Sequence, residues 1–189
     1  MIRKTIALAS LAALLGGCAS GHATFNTRSQ MDGIAPVKKL LIYLNVKSAA
    51  FDGGLRTSFI DTTKAKLESC GLTVSIIEYD PLELDMKQKA MDTAAAFGPD
   101  ASLFMLRDGG NLTNGTGGTF GQLYFDLKAY EKVGGKQIWA ARTSYQTLIH
   151  NMYIDDKLSG ARFGGELVAQ MAKDNFVQGC PPDVVNPPK

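Results

Sequence analysis

The sequence is poor in the features that mark most chemistry. Twenty Lys and Arg stand against 18 Asp and Glu, and the two surplus positive charges are Arg3 and Lys4 at the extreme N-terminus. Beyond residue 17 the chain is neutral, which excludes a strongly basic nucleic-acid binder. Two histidines and three cysteines are present, with no close ligand spacing. No metal site is therefore expected. The patterns G-x-S-x-G, H-E-x-x-H, Walker A and C-x-x-C are all missing, and no cofactor is expected. After residue 17 no apolar run is long enough to cross a membrane as a helix. What remains is 189 residues, 45% hydrophobic and 20% charged. That balance excludes a wholly disordered chain, and the length suits one ordinary domain.

The N-terminus reads as an address. Arg3 and Lys4 form a positive start, Ile6 to Leu15 an apolar block of ten residues, and Gly16 and Gly17 a small-residue exit before Cys18. That order is the layout of a secretory signal peptide, and the block is too short to span a bilayer. Leu15-Gly16-Gly17-Cys18 resembles the lipobox of bacterial lipoproteins. The resemblance implies a diacylated Cys18 thiol, cleavage before Cys18 and an acylated new amine. Two or more chains suffice for stable anchoring, at about 0.8 kcal/mol per buried CH₂. Ala19 rather than Asp follows the cysteine, which in Gram-negative families implies the outer membrane.

With Cys18 lipidated, Cys70 and Cys180 remain. In an oxidising compartment they are expected to pair. The bridge would close a loop of about 110 residues, for which chain entropy gives roughly 4.7 kcal/mol. The alternative is two separate thiols, Cys70 buried and Cys180 exposed.

Residues 1–17 are thus a signal peptide, 18–36 a lipidated cysteine and small, polar tether containing His22, 37–180 a single α/β domain, and 181–189 a proline-rich, extended tail. Within the domain, Val37–Val46 is a continuous apolar run and reads as a buried strand. Asp52–Cys70 carries Leu55, Phe59, Thr63 and Leu67 at helical spacing, with Gly71 as a stop. Leu72–Tyr79 is a second strand, broken by Asp80-Pro81. Leu82–Phe97 is a helix with Met86, Ala90, Ala94 and Phe97 on one stripe. Ala101–Arg107 is a third strand, followed by a flexible glycine-rich loop from Asp108 to Gly118. Phe120–Tyr130 and Ile138–Leu148 form a hairpin. Asp155 caps a last helix reaching about Val177, with Leu158, Ala161, Val168, Met171 and Ala172 inward.

Side-chain faces predict the hairpin register. A two-residue turn would set Phe125 opposite Ser144 and Leu127 opposite Arg142. A three-residue loop pairs Leu127 with Thr143, Ala129 with Ala141 and Phe125 with Tyr145, and is preferred. Leu123, Phe125, Leu127, Ala129, Trp139, Ala141 and Tyr145 are expected on the core face. The order β-α-β-α-β-β-β-α predicts a mixed α/β sheet of about five strands. Its first half is parallel and helices lie on both faces.

Pro99-Asp100-Ala101-Ser102-Leu103-Phe104 resembles the "G-A-D-A-hydrophobic" entry to a middle strand. Phe125-Asp126-Leu127 with Gly134-Gly135-Lys136-Gln137-Ile138-Trp139 resembles a strand–"tG-x-hydrophobic-W"–strand hairpin. Both occur in lipoproteins similar to the curli-secretion-channel lipoprotein, the penicillin-binding-protein-activator lipoprotein and the N-terminal domain of TolB. Over residues 37–177 the resemblance implies a periplasmic α/β domain that binds envelope proteins or forms a homo-oligomer. It implies no catalytic residue. The Trp and Gly positions also have plain reasons, a core aromatic and a turn.

The C-terminal ends of parallel strands share one edge, where ligands bind in many α/β folds. Here they offer Asn45, Ser48, Tyr79, Asp80, Arg107 and Asp108. Arg107 could fix an anion and Asp80 or Asp108 serve as base. The plainer account is ordinary polar loop residues, any Asp–Arg contact being a surface pair of small energetic weight. His150 could serve a Ser/His or Cys/His pair, or simply bond backbone at a strand end. Tyr124, Tyr130, Tyr153 and Phe163 could anchor a partner. The expectation is a non-enzymatic lipoprotein, anchored by lipid on the periplasmic side of the outer membrane and binding envelope proteins. The alternatives are a subunit of a secretion complex, whose hairpin would enter a barrel, and a periplasmic hydrolase built on the strand-end cluster.

Overall fold

A computed structural model describes residues 22–45, 51, 53–80, 83–115, 118–132, 134–149 and 156–185. Its elements in chain order are β1 (His22–Ser29), β2 (Lys39–Asn45), α1 (Gly53–Ser69), β3 (Thr73–Glu78), α2 (Met86–Phe97), β4 (Ala101–Gly115), β5 (Gly118–Glu131), β6 (Gln137–Ile149), α3 (Asp156–Lys173) and the short α4 (Pro182–Val185). The strands form one sheet in the order β1-β6-β5-β4-β2-β3. β2 pairs in parallel with β3 and β4, while β4, β5, β6 and β1 pair antiparallel in succession. The class is mixed α/β, with six strands rather than five.

The sixth strand is β1, drawn from the segment read as tether. Its alternation is easily missed, because Ala23 and Phe25 are the only apolar residues among eight; both pack against the core. The pairing covers β6 from Trp139 to Gln146. On the edge of β1, the Ala23 N–H donates to Glu166 Oε2 of α3 at 2.8 Å.

β2 lies between two strands and is buried at Leu40, Leu41, Ile42 and Leu44, as a strand covered on both faces must be. Leu40, Ile42 and Leu44 join the main core beneath α1 and α3, whereas Leu41 joins a smaller cluster with Ile77 and Met86 beneath α2. α1 buries Leu55, Phe59, Thr63 and Leu67, the predicted stripe. The bounds of α2 contract to Met86–Phe97, and α3 ends at Lys173, past which Phe176 and Val177 are buried outside the helix. In the main core the Phe51 ring meets Phe59 and Phe125 edge-on at 5.5 and 5.3 Å, and Tyr145 stacks on Phe163 at 4.6 Å.

α1 and α3 touch backbone to backbone. A Cβ on Gly160 would collide with the Leu55 carbonyl oxygen, and one on Gly164 would stand 2.9 Å from the Phe59 carbonyl and 2.8 Å from Thr63 Oγ1. The Gly160-x-x-x-Gly164 spacing puts both glycines on one helix face.

The hairpin buries all seven residues expected on its core face. Its register differs. Leu127 faces Ala141, Phe125 faces Thr143, Leu123 faces Tyr145 and Ala129 faces Trp139. The predicted pairs Leu127–Thr143, Ala129–Ala141 and Phe125–Tyr145 are each displaced by two residues. An even shift leaves every face unchanged, so burial alone could not detect it. Near the turn, Ile138 is the extra residue of a bulge between the Ala129–Trp139 and Tyr130–Gln137 pairs, and Ile138 and Trp139 are both buried.

The glycine-rich segment is not a loop. β4 continues through Asp108 to Gly115, paired with β5. One residue is inserted between Arg107 and Gly110, where Gly109 and Gly110 take φ of 107° and 158°. These are values that glycine adopts without strain, and glycine within a strand commonly marks such a bulge. The C-terminal tail, expected to be extended, forms α4 with Val184 buried; Pro182 is its first residue, where a missing N–H costs nothing.

Candidate functional site

Strand direction assigns the two ends of the sheet. β2, β3 and β4 all run toward one end, and β1 begins there because it lies antiparallel to β4 across β5 and β6. Asn45, Tyr79, Asp80, Arg107 and Asp108 sit at that end. Ser48 and His150 lie outside the described residues, as do Cys18 and Tyr153.

Asn45 pairs with Leu106 in register, so Arg107 and Asp108 stand one and two positions past it. The Tyr79 N–H donates to the Leu44 carbonyl at 2.7 Å, continuing the β2–β3 ladder. Next to it Glu78 is held by Arg56 of α1 at 2.7 Å. The half-buried Asp80 accepts the Glu83 N–H on its carbonyl at 3.0 Å, making the turn toward α2. Arg107 Nε donates to the carbonyl of Gly109 at 3.2 Å, within its own bulge. Asp108 faces Arg142 at 3.9 Å, and Arg142 is bonded more closely to Asp126 at 3.0 Å. The Asp126 carboxylate, with Asp108 behind it, raises the Arg142 guanidinium above its ordinary value. The end therefore gathers five of the six expected residues, but Arg107 turns to backbone and Asp108 to a strand-face arginine.

At the opposite end lies a cleft of about 450 Å³, lined by residues from Ile34 to Lys39, Asp100, Glu131, Lys132 and Ile138. Asp100 shapes it. Its Oδ2 accepts the backbone N–H groups of both Lys38 and Lys39 at 2.8 Å, while its own N–H donates to the Lys39 carbonyl at 2.8 Å. The aspartate of the Pro99-Asp100-Ala101 motif thus fixes the entry of β2 beside β4. Cys70 and Cys180 form a disulfide across 110 residues of sequence. It joins the end of α1 to the segment before α4. Trp139 of the hairpin motif is a core residue, stacked on Phe176 at 5.4 Å and donating from Nε1 to Asp174 Oδ2 at 2.8 Å.

Of the aromatic residues read as partner anchors, Phe163 is wholly buried among other rings. A 3.6-residue stripe cannot distinguish a core ring from an anchoring one. Tyr124 and Tyr130 are half-buried on the sheet face opposite α1 and α3. An aromatic row that sequence reading missed lies on that face. Tyr43 stacks on Phe104 at 4.7 Å, and Phe104 meets Tyr130 edge-on at 5.9 Å. Its signal was present in the odd positions of β2, which a continuous apolar run conceals. Beside it Lys39 Nζ stands 5.9 Å from the centre of the Phe97 ring. Among the described residues no helix is long and apolar enough to cross a membrane.

No protein-family model matches the chain, and no curated protein matches it. Solved structures with a similar arrangement include a PelC dodecamer from Paraburkholderia phytofirmans, at a TM-score of 0.48 and 15% identity over 77% of this chain and 96% of that one. Lipoprotein GNA1162 from Neisseria meningitidis gives 0.45 and 19% over 72% and 99%. The hypothetical protein CT253 from Chlamydia trachomatis gives 0.46 and 13% over 72% and 96%.

Proposed function

We propose that this chain is a lipid-anchored protein of the outer membrane. Its periplasmic domain binds or assembles with other envelope proteins and performs no chemistry of its own. The observation that carries the reading is Leu15-Gly16-Gly17-Cys18 closing an apolar block that follows Arg3 and Lys4. The Cys70–Cys180 disulfide supports it, since such bonds persist in oxidising compartments. The engagement of Arg107 with Gly109 and of Asp108 with Arg142 favours binding over catalysis at the strand-end edge. Two measurements on cells of the native host test the proposal. Intact mass of the purified protein is expected to show a mature chain beginning at an acylated Cys18. In-cell crosslinking is expected to capture an envelope protein or a second copy of the chain. An uncut, unmodified polypeptide in the cytosol overturns the reading.

A further inference from the structure

We infer that the projecting end of β4, β5 and β6 rests on the bilayer, with the lipid surface as its partner. The inference depends on lipidation at Cys18. Only three residues separate that cysteine from His22, where β1 begins. Four chain steps reach at most about 14 Å. The domain is thus held by its strand-end edge, close against the headgroups.

Register shows what projects there. His22 stands level with Gln146, Gln146 with Gln122, and Gln122 with Asn111. Past that level β4 and β5 remain paired for four more positions, to Gly115 and Gly118, and β6 continues to Ile149 opposite Thr119. At about 3.3 Å per residue the projection is roughly 13 Å, matching the reach of the anchor.

Its composition fits the same surface. The strand stretches Gly109–Gly115, Gly118–Phe125 and Thr143–Ile149 contain no Asp, Glu, Lys or Arg, in a chain that is 20% charged. In sequence, Leu112, Phe120, Leu148 and Ile149 are its large apolar residues among Gly, Asn and Thr. A charge-free strand end can enter the boundary between headgroups and acyl chains, about 5–10 Å deep, where a carboxylate or ammonium would oppose entry.

Nitroxide labelling of the full-length, lipidated protein tests this. Thr119→Cys and, separately, Asn114→Cys place a thiol on the projection, and Lys136→Cys places one at the other end; the remaining cysteines are acylated or disulfide-bonded. The protein is reconstituted in vesicles of phosphatidylethanolamine and phosphatidylglycerol. The unlipidated Cys18→Ser protein in buffer is the reference. The ratio of oxygen to nickel-chelate collisions should rise about fivefold at positions 119 and 114, and change less than about twofold at 136, as burial at the acyl boundary requires. Vesicle-bound protein with all three labels in water overturns the inference and leaves the anchor standing. Labels 119 and 114 reaching water on the far side replace surface contact with a spanning barrel, and also overturn it. A chain that carries no lipid and does not float with vesicles overturns the anchor, and the inference with it.

Discussion

The two faces of the sheet are built differently. On one, α1 and α3 cover the sheet and meet each other so closely that Gly160 and Gly164 have no room for a Cβ. On the other, α2 covers only the parallel strands, through Leu41, Ile77 and Met86. Beyond it β4, parallel to β2 but antiparallel to β5, presents Phe104, and the antiparallel strands that follow present the Asp126–Arg142 ion pair and a Thr24–Ser144 hydroxyl contact at 2.7 Å. Leu106 there is 41% exposed. The difference follows strand direction. Parallel strands need both faces dry, whereas antiparallel strands tolerate water on one. Stability should therefore concentrate on the α1–α3 face.

The largest expected effect breaks that face directly. Gly160→Val drives a branched side chain into the Leu55 carbonyl. A loss of about 3 kcal/mol or more is expected, or a melting point lower by about 10 °C. Gly165→Ala is the internal control. Its Cβ would meet only the flexible Lys66 side chain at 3.4 Å. Relief of the glycine helix penalty should make that variant more stable by about 0.5–1 kcal/mol. Equal losses in both would show that any added volume in α3, rather than helix contact, is at fault.

Next in size is the disulfide, which ties α1 to the chain beyond α3. Cys70→Ser with Cys180→Ser is expected to cost about 2–4 kcal/mol, measured by urea melts, up to a chain-entropy limit of about 4.7 kcal/mol. The reducing agent alone should reproduce the loss in the parent protein and leave the double variant unchanged. A bond that held only a loose tail would show little effect; Val184 and Val177, buried near it, argue for the larger value.

The elements on the dense face were legible in sequence and the contacts between them were not. Leu55, Phe59, Thr63 and Leu67 declare a helix face because apolar side chains repeat at its period. Gly160 and Gly164 carry no such signal, since what they contribute is absence of volume. The hairpin divides in the same way. Period two fixed its faces, but a shift of two residues conserves every face, and the bulge at Ile138 set the partners. β1 was hidden because only Ala23 and Phe25 mark its apolar face, and the end of β4 because Gly and Asn are poor strand formers alone; paired neighbours supply the order. At the strand-end edge, position was legible from topology, while the partners of Arg107 and Asp108 depend on the bulge and on β6.

The smallest effect lies on the α2 face and reports whether that face is closed. Tyr43 stacks on Phe104, its hydroxyl lies 3.5 Å from the Ala90 carbonyl, and burial raises its phenol above the usual tyrosine value. The native phenol keeps its proton at pH values where the unfolded chain has released it. Its contribution to stability is therefore complete below about pH 10 and declines as pH rises through the native value. Tyr43→Phe should flatten that alkaline decline while changing neutral-pH stability by less than about 1 kcal/mol. Urea melts of both proteins on either side of pH ~10 give the comparison. Parallel declines would mean that α2 lifts from β2 before the rest of the domain unfolds, making the thinly covered face the first to open.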